Sequence, residues 1–300
     1  MVVASRPAPF VERDARLKLA DGSWLAYSIV DARDPSARPA VVLLHGLASN
    51  RSRWAEFVER TSLTKHFDVL RLDLRGHGDS AAGGRLTLER WCDDLVAVLD
   101  SRGIARAIPV GHSLGAQVAL AFAARHPDRC AAMVLIDPVF RLALCGQWRR
   151  IASLGPLFAA AAWLVRAANR AGVRRRHVIP YDLRALDGLA RQALASKQAE
   201  EAFIRQYSSV RADLRQVRTA SYLQDLVEMI RPIPPLPSLR LPVLALLSHG
   251  GTFADPAEMA RHLEALPRHQ MAWIECHHWP LTERPVEVRT AIERWCESLD

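Results

Sequence analysis

The chain has 300 residues, half of them hydrophobic, with 40 lysines and arginines against 32 carboxylates and a formal charge of +8. That length and apolar share exclude a disordered chain and suffice for a substantial core. The positive balance is almost all arginine, with Lys18, Lys65 and Lys197 as the lysines, and no basic run is interleaved with stacking aromatics, so it reads as solvated surface and not as a nucleic-acid site.

In chain order, the N-terminal MVVASRPAPFVERDARLKLADGS lacks an apolar stretch of secretory-signal length, and its early prolines interrupt one. The segment ARLKLADGSWLAYSIVD alternates apolar and polar residues around Asp21-Gly22, a pair suited to the positive φ of a tight turn, and predicts an antiparallel edge hairpin. After the linker DARDPSARP, the apolar runs Ala40 to Leu44 and Phe67 to Leu72 predict strands buried on both faces, as in parallel sheets covered by helices. Helices are predicted at Arg51 to Arg60 and Leu88 to Arg102, followed by a strand at Ala107 to Val110, a helix at Leu114 to Arg125 and a strand at Ala132 to Ile136. From Val139 to Leu239 the rhythm changes to helical periodicity rich in Ala, Leu and Arg, closed by the proline-rich Pro232 to Pro237. Strands at Pro242 to Leu247 and Met271 to Glu275 then alternate with helices at Ala257 to Leu266 and Pro285 to Leu299.

Strict alternation of strand and helix predicts an α/β fold with a doubly wound, mostly parallel sheet and right-handed crossovers. The expected division is a core of residues 1–138 and 240–300, with 139–239 inserted as a helical cap or lid. Ligands of such sheets bind beyond the carboxyl ends of the strands, where His45-Gly46, Asp73, Ser113 and Asp137 fall. Cys92, Cys130, Cys145, Cys276 and Cys296 are odd in number and form no C-x-x-C pair, as expected of reduced thiols in a cytoplasmic protein. The longest uncharged run, Ile151 to Val165, is shorter than the roughly 20 residues of a bilayer span, so no span is expected.

The sharpest local signal is PVGHSLGAQ at 109 to 117. A strand that ends in Gly-x-Ser-x-Gly and turns at once into a helix holds its serine in a sharp, strained turn with Oγ exposed, and the glycines stand where strand and helix leave no room for side chains. Ser113 is thus the candidate nucleophile, at the amino end of a helix whose N–H groups favour developing negative charge.

With VVLLHGLASNRSRW at 41 to 54, DLRGHGDS at 73 to 80, VGHSLGA at 110 to 116 and HHWPLTERPVEV at 277 to 288, the chain resembles the α/β-hydrolase superfamily. The resemblance implies that the amides of Leu47 and Leu114 form an oxyanion hole. It also implies that His278 is the base, although His277 stands where the family usually has glycine, which leaves His277 as an alternative and crowds the turn. His45 and His112 read as braces of the oxyanion loop and the elbow, and Asp73 and Asp79 as organisers of their loop. The set His249, Cys276, His277 and His278 matches no familiar zinc spacing, so no metal or other cofactor is expected.

The acid stays open between two residues. The family commonly carries it after the strand that follows the cap, where this chain has LLSHGGTFADP; Gly251 occupies the expected position and Asp255 is the nearest carboxylate. Asp255-Pro256-Ala257-Glu258 is equally a helix opening with Asp as N-cap. Asp137, after the strand that follows the nucleophile helix, is the other candidate and matches the position used by some superfamily branches. Asp225 has no motif around it.

These residues imply hydrolysis of a carboxylic ester or related acyl bond in a small, apolar substrate, through an acyl-enzyme. A serine at position 113 argues against the dehalogenase and epoxide-hydrolase reactions, whose pattern has aspartate there. An acyltransferase or thioesterase on the same scaffold, and a non-catalytic hydrolase-like binding protein, are the alternatives. The apolar LGPLFAAAAWLV at 154 to 165 is expected to be buried packing, with an acyl-binding wall or a lipid-interface lid as the other reading. Phe140, Trp148, Phe158 and Trp163 are the expected wall residues.

Overall fold

The computed structural model describes residues 11–34, 38–80, 84–173, 181–193, 201, 203–205 and 207–299. Its strands are β1 (Arg13–Lys18), β2 (Trp24–Val30), β3 (Ala40–Leu44), β4 (Val69–Leu72), β5 (Ala107–His112), β6 (Met133–Ile136), β7 (Val243–Ser248) and β8 (His269–Ile274). They form one sheet in the order β1-β2-β4-β3-β5-β6-β7-β8. The pairs β1 with β2 and β2 with β4 are antiparallel, and every other neighbouring pair is parallel. The predicted α/β fold is the observed one.

The helices are α1 (Ala55–Arg60), α2 (Leu88–Ser101), α3 (Leu114–Arg125), α4 (Gly146–Ser153), α5 (Gly155–Arg170), α6 (Leu183–Ala193), α7 (Val210–Gln216), α8 (Thr219–Met229), α9 (Pro256–Leu263), α10 (Pro280–Glu283) and α11 (Pro285–Glu297). Strand β3 shows why two helical layers are needed. Its side chains alternate with the strand period of two, Ala40, Val42 and Leu44 entering the core shared with α2, α3 and α9, while Val41 and Leu43 enter the one shared with α1 and α11. All five residues are buried, so neither face tolerates a polar side chain.

The edge hairpin forms, but its turn differs from the one expected. Only Gly22 has positive φ, at +80°. A turn from Leu19 to Gly22 (Gly22 N to Leu19 O, 2.9 Å) sits inside a wider Leu19 N to Ser23 O bond of 2.8 Å. Asp21 accepts from Ser23 N at 3.0 Å, so it caps the turn with its side chain in place of adopting the left-handed backbone itself. The predicted helix at 51 to 60 is likewise split: Arg51–Trp54 is a 3-10 turn, capped by Asn50 accepting from Ser52 N at 2.8 Å, and α1 follows it.

The loop after β4 is built around buried carboxylates. Asp73 accepts from Arg51 N at 2.6 Å and from Asp79 N at 2.9 Å and pairs with the Arg51 guanidinium. Arg75, almost fully buried, makes a two-pronged ion pair with the equally buried Asp94 of α2, Nε to Oδ2 being 2.8 Å. Removing Asp94 leaves the buried guanidinium with Asp21 alone, at 2.7 Å on its other edge, so Asp94→Ala is expected to destabilise the protein by about 3 kcal/mol, read as a lower urea midpoint at unchanged slope.

Between β6 and β7 the described residues contain helices and turns and no strand. Helix α5 overturns the expectation of buried packing: Leu157 is 64% exposed and Trp163 and Leu164 are each 60% exposed. A lone helix lying on α8 hides only the stripe that touches its neighbour, and its other apolar side chains face outward. Among the described residues no single helix is long and apolar enough to cross a membrane; α4 and α5 together reach the length but are bent by 60° between them. Asp225, for which the sequence offered no motif, is fully buried on α8, with an oxygen 3.1 Å from His77 Nε2 in the loop after β4 but not aligned for a hydrogen bond.

Candidate active site

Three non-glycine residues among those described have positive φ: Ala48 (49°), Ser113 (52°) and Asp137 (44°). Each lies just beyond the carboxyl end of a parallel strand, β3, β5 or β6. Such backbone costs about 1–3 kcal/mol per residue and persists only where the surroundings impose it, a pattern typical of functional sites.

The elbow at Ser113 is imposed by packing. A Cβ on Gly111 would lie 2.2 Å from the Gly115 carbonyl oxygen, and one on Gly115 would lie 2.3 Å from the Leu44 carbonyl oxygen and 2.8 Å from that of His45. With those side chains absent, α3 seats directly on β3, and Ser113 N donates to the Ile136 carbonyl at 3.0 Å. The Oγ atom is thereby directed at His278, whose Nε2 is 3.0 Å away.

His278 follows β8, and its Nδ1 is hydrogen-bonded to Asp137 Oδ2. The other oxygen of Asp137 accepts from Ser248 N at 3.0 Å and from Ser248 Oγ at 2.8 Å. Burial by itself would raise the Asp137 carboxyl, but His278 and the two Ser248 donors outweigh it and hold the group below the ordinary carboxylate range, so it is ionised at neutral pH. Of the two candidate acids, the structure brings Asp137 to His278. Asp255 instead caps α9, accepting from Glu258 N at 3.0 Å, and its own N–H donates to the Ala143 carbonyl at 2.8 Å.

The remaining histidines divide as chemistry requires. His112 Nε2 donates to the His278 carbonyl at 2.8 Å, tying the elbow to the turn that carries His278. Burial, then the neighbouring His278, pushes His112 down to about 3, so it is a neutral brace at physiological pH. His45 accepts from Leu74 N at 3.1 Å through Nε2 and donates to the Gly46 carbonyl at 2.8 Å through Nδ1. His277 is held through its backbone N–H by Glu283 at 3.1 Å. The crowding expected from a histidine there is relieved across the turn, because a Cβ on Gly250 would lie 2.7 Å from His277 Nδ1. His249 lies 3.3 Å from Glu275, and among the described residues no three metal-ligating side chains are grouped to hold an ion.

Leu114 is the first residue of α3, so its N–H has no partner within the helix. Leu47 lines the cavity together with Ser113 and His278. That cavity encloses about 1050 Å³ including its open mouth, and α4, α6, α7 and α8 contribute to its wall. Of the four expected wall aromatics only Trp148 lines it; Phe140 is buried in the core against His262, and Trp163 faces solvent. Phe253, which sequence reasoning missed, lies edge-on to His278 with ring centroids 4.6 Å apart, and packs on Trp148 at 4.9 Å. It occupies the loop in which a carboxylate was sought, and an aromatic in FADP offers no local signal of that contact. Also missed was Arg53, which pairs with Asp187 of α6 and donates to Thr282 Oγ1 at 2.7 Å. Its charge is thus already matched inside the cavity wall.

A strained serine on a strand-to-helix turn, hydrogen-bonded to a histidine that in turn bonds a buried carboxylate at the carboxyl edge of a parallel sheet, defines the hydrolase class of doubly wound protein. The chain belongs to the alpha/beta hydrolase fold family, whose model matches residues 39–285. It is 25% identical over 124 residues to a putative esterase/lipase of Haemophilus influenzae, covering 41% of this chain and 42% of that protein. It is 36% identical over 104 residues to the putative carbamate hydrolase RutD of Caulobacter vibrioides, covering 34% of this chain and 38% of that one. The matched part spans less than half the length of either relative. A thermophilic esterase structure from Thermogutta terrifontis has the same fold, with a TM-score of 0.68 and 24% identity over 96% of this chain and 99% of that one.

Proposed function

We propose that the protein is a serine hydrolase that cleaves carboxylic esters through Ser113, His278 and Asp137. The observation that carries this reading is the continuous hydrogen-bonded line from Asp137 through His278 to Ser113 Oγ, opening into a largely apolar cavity. Ser113 Oγ attacks the ester carbonyl as His278 Nε2 takes its proton, and Asp137 orients the ring and stabilises its charged form. The oxyanion is held by the N–H groups of Leu47 and Leu114, each such donor contributing about 2.7–4 kcal/mol to the transition state. Collapse breaks the bond to the alcohol, which leaves with the proton from Nε2. Water then gives its proton to Nε2 and attacks the acyl-enzyme, and the carboxylic acid departs as Oγ is reprotonated. The helices of residues 139–239 act as a cap that selects the substrate by shape.

Initial rates on p-nitrophenyl esters from acetyl to palmitoyl, with Ser113→Ala beside the wild type, test the reading. Serine-dependent hydrolysis with a chain-length optimum is the expected result, together with a single fluorophosphonate adduct on Ser113. Equal rates in the two proteins would overturn it, and product diverted to an added alcohol acceptor would replace hydrolysis by acyl transfer.

A further inference from the structure

The proposed chemistry employs one wall of the cavity and leaves a second, polar one without a role. That wall forms where the loop after β3 packs against α7 and α8, with Ala48 buried against Val217 and Tyr222. Around this contact Ser49, Asp213, Gln216 and Tyr222 all line the cavity that holds Ser113. Asp213 and Gln216 are three residues apart on α7, so one face of that helix presents both.

These groups are under-satisfied as they stand. Ser49 Oγ and Gln216 Oε1 are buried with no hydrogen-bond partner among the described residues. Each such atom costs about 1–3 kcal/mol, so a cavity for plain alkyl chains gains nothing from them. Asp213 has the Tyr222 hydroxyl as its hydrogen-bond partner and, among the described residues, no neutralising cation beside it. Arg53, which also lines the cavity, is taken by Asp187. Burial pushes the Asp213 carboxyl up to about 7, the Tyr222 hydroxyl offsetting only part of the effect. Gln216 Oε1 and the Asp213 carboxylate are acceptors, and the Ser49 hydroxyl can accept as well. Gln216 Oε1 and Ser49 Oγ are thus acceptors with no donor facing them among the described residues, and a ligand can supply one.

We propose that Ser49, Asp213 and Gln216 form a polar subsite that binds a hydrogen-bond donor, a hydroxyl or an amine, carried by the substrate. The inference rests on the ester-hydrolase reading of Ser113 and narrows its substrate class to functionalised esters. A site built to accept from a substrate O–H or N–H discriminates strongly against the analogue lacking it, because its own acceptors are then left unpaired.

The test uses p-nitrophenyl esters of straight-chain acids from butyryl to octanoyl, each in three forms: plain, with a terminal hydroxyl, and with a terminal amine. The quantity read is the ratio of kcat/KM for the donor-bearing ester to that for the plain one. The expected ratio at the best chain length is about tenfold or more, falling by about tenfold in Asp213→Leu and in Gln216→Leu. A merely structural role for these residues would lower both rates and leave the ratio in place. Asp213→Asn, close in shape, retains the preference for hydroxyl and loses that for amine, which separates the two ligand forms and serves if the leucine variants do not fold.

Calorimetric binding of the same ester pairs to Ser113→Ala protein distinguishes this proposal from the one beneath it. Tighter binding of donor-bearing esters with no hydrolysis by the wild type would uphold the subsite and overturn ester hydrolysis. Hydrolysis with a ratio near one at every length would overturn the subsite alone. Absence of both would overturn both.

Discussion

Asp137→Asn is expected to lower kcat on a p-nitrophenyl ester by about 10⁴ while leaving KM near its wild-type value. The reason lies in what holds the carboxylate. One oxygen of Asp137 receives two donors from Ser248, its N–H at 3.0 Å and its hydroxyl at 2.8 Å, and the other faces His278 Nδ1. An asparagine must turn its single oxygen toward Ser248, because an amide nitrogen there would confront two donors. Its NH₂ group then points at Nδ1, which has to act as acceptor, and the ring proton moves to Nε2. An imidazole in that form directs a hydrogen at Ser113 Oγ and cannot take one from it. The effect therefore falls on kcat and not on substrate binding.

The same substitution at Asp255 is the control. Asparagine is as good an N-cap as aspartate, so Asp255→Asn is expected to change activity by less than about twofold. Retention of more than about a tenth of wild-type kcat in Asp137→Asn would sink the assignment, as would equal losses in the two variants. Stability adds an independent reading. The native carboxyl of Asp137 is held below the ordinary carboxylate value of about 3.9, so its charge stabilises the fold above that pH and the contribution is lost as pH falls through the native value. Asp137→Asn is accordingly expected to flatten the acid limb of a stability-versus-pH curve.

Gly115→Ala is expected to destabilise the protein by about 3 kcal/mol and to remove most of the activity with it. The added Cβ would lie 2.3 Å from the Leu44 carbonyl oxygen and 2.8 Å from that of His45. Both contacts are backbone, and β3 is hydrogen-bonded on one side to β4 and on the other to β5, so no side chain can rotate aside. Either α3 lifts from the sheet, carrying Leu114 with it, or the His45-Gly46-Leu47 turn is displaced; the two proposed oxyanion donors separate in each case. A fall in melting temperature of roughly 6 °C is the expected measurement. Gly188→Ala on α6 is the comparison, since nothing lies within 4 Å of its added Cβ. It is expected to be neutral or stabilising by up to about 1 kcal/mol, as for alanine replacing glycine in any open helix.

Residues that act through local pattern were legible in the sequence. Ser113 could be named because strand, sharp turn and helix follow one another without a break, and the two glycines that the turn requires, Gly111 and Gly115, flank the serine at two positions on either side. The parallel strands could be named because burial on both faces demands unbroken apolar runs. Their ends were less legible: the run Phe67 to Leu72 contains a strand only from Val69, since Phe67 packs in the core from the preceding turn.

The carboxylate that meets His278 depended on something else. Asp137 and Ser248 are 111 residues apart, and they meet because β6 and β7 pair side by side after the intervening helices. Separation along the chain likewise hid Phe253 beside His278 and the Arg53–Asp187 pair, and the exposure of α5 depended on what packs against it. By itself the sequence determined the α/β architecture, the strained serine turn and the histidine after the last strand, because each is written in residues that are close neighbours along the chain. Only the tertiary structure decided which carboxylate reaches that histidine and which side chains wall the cavity, because those contacts are made between strands and helices whose adjacency is set by the order of the sheet and the packing of the whole core.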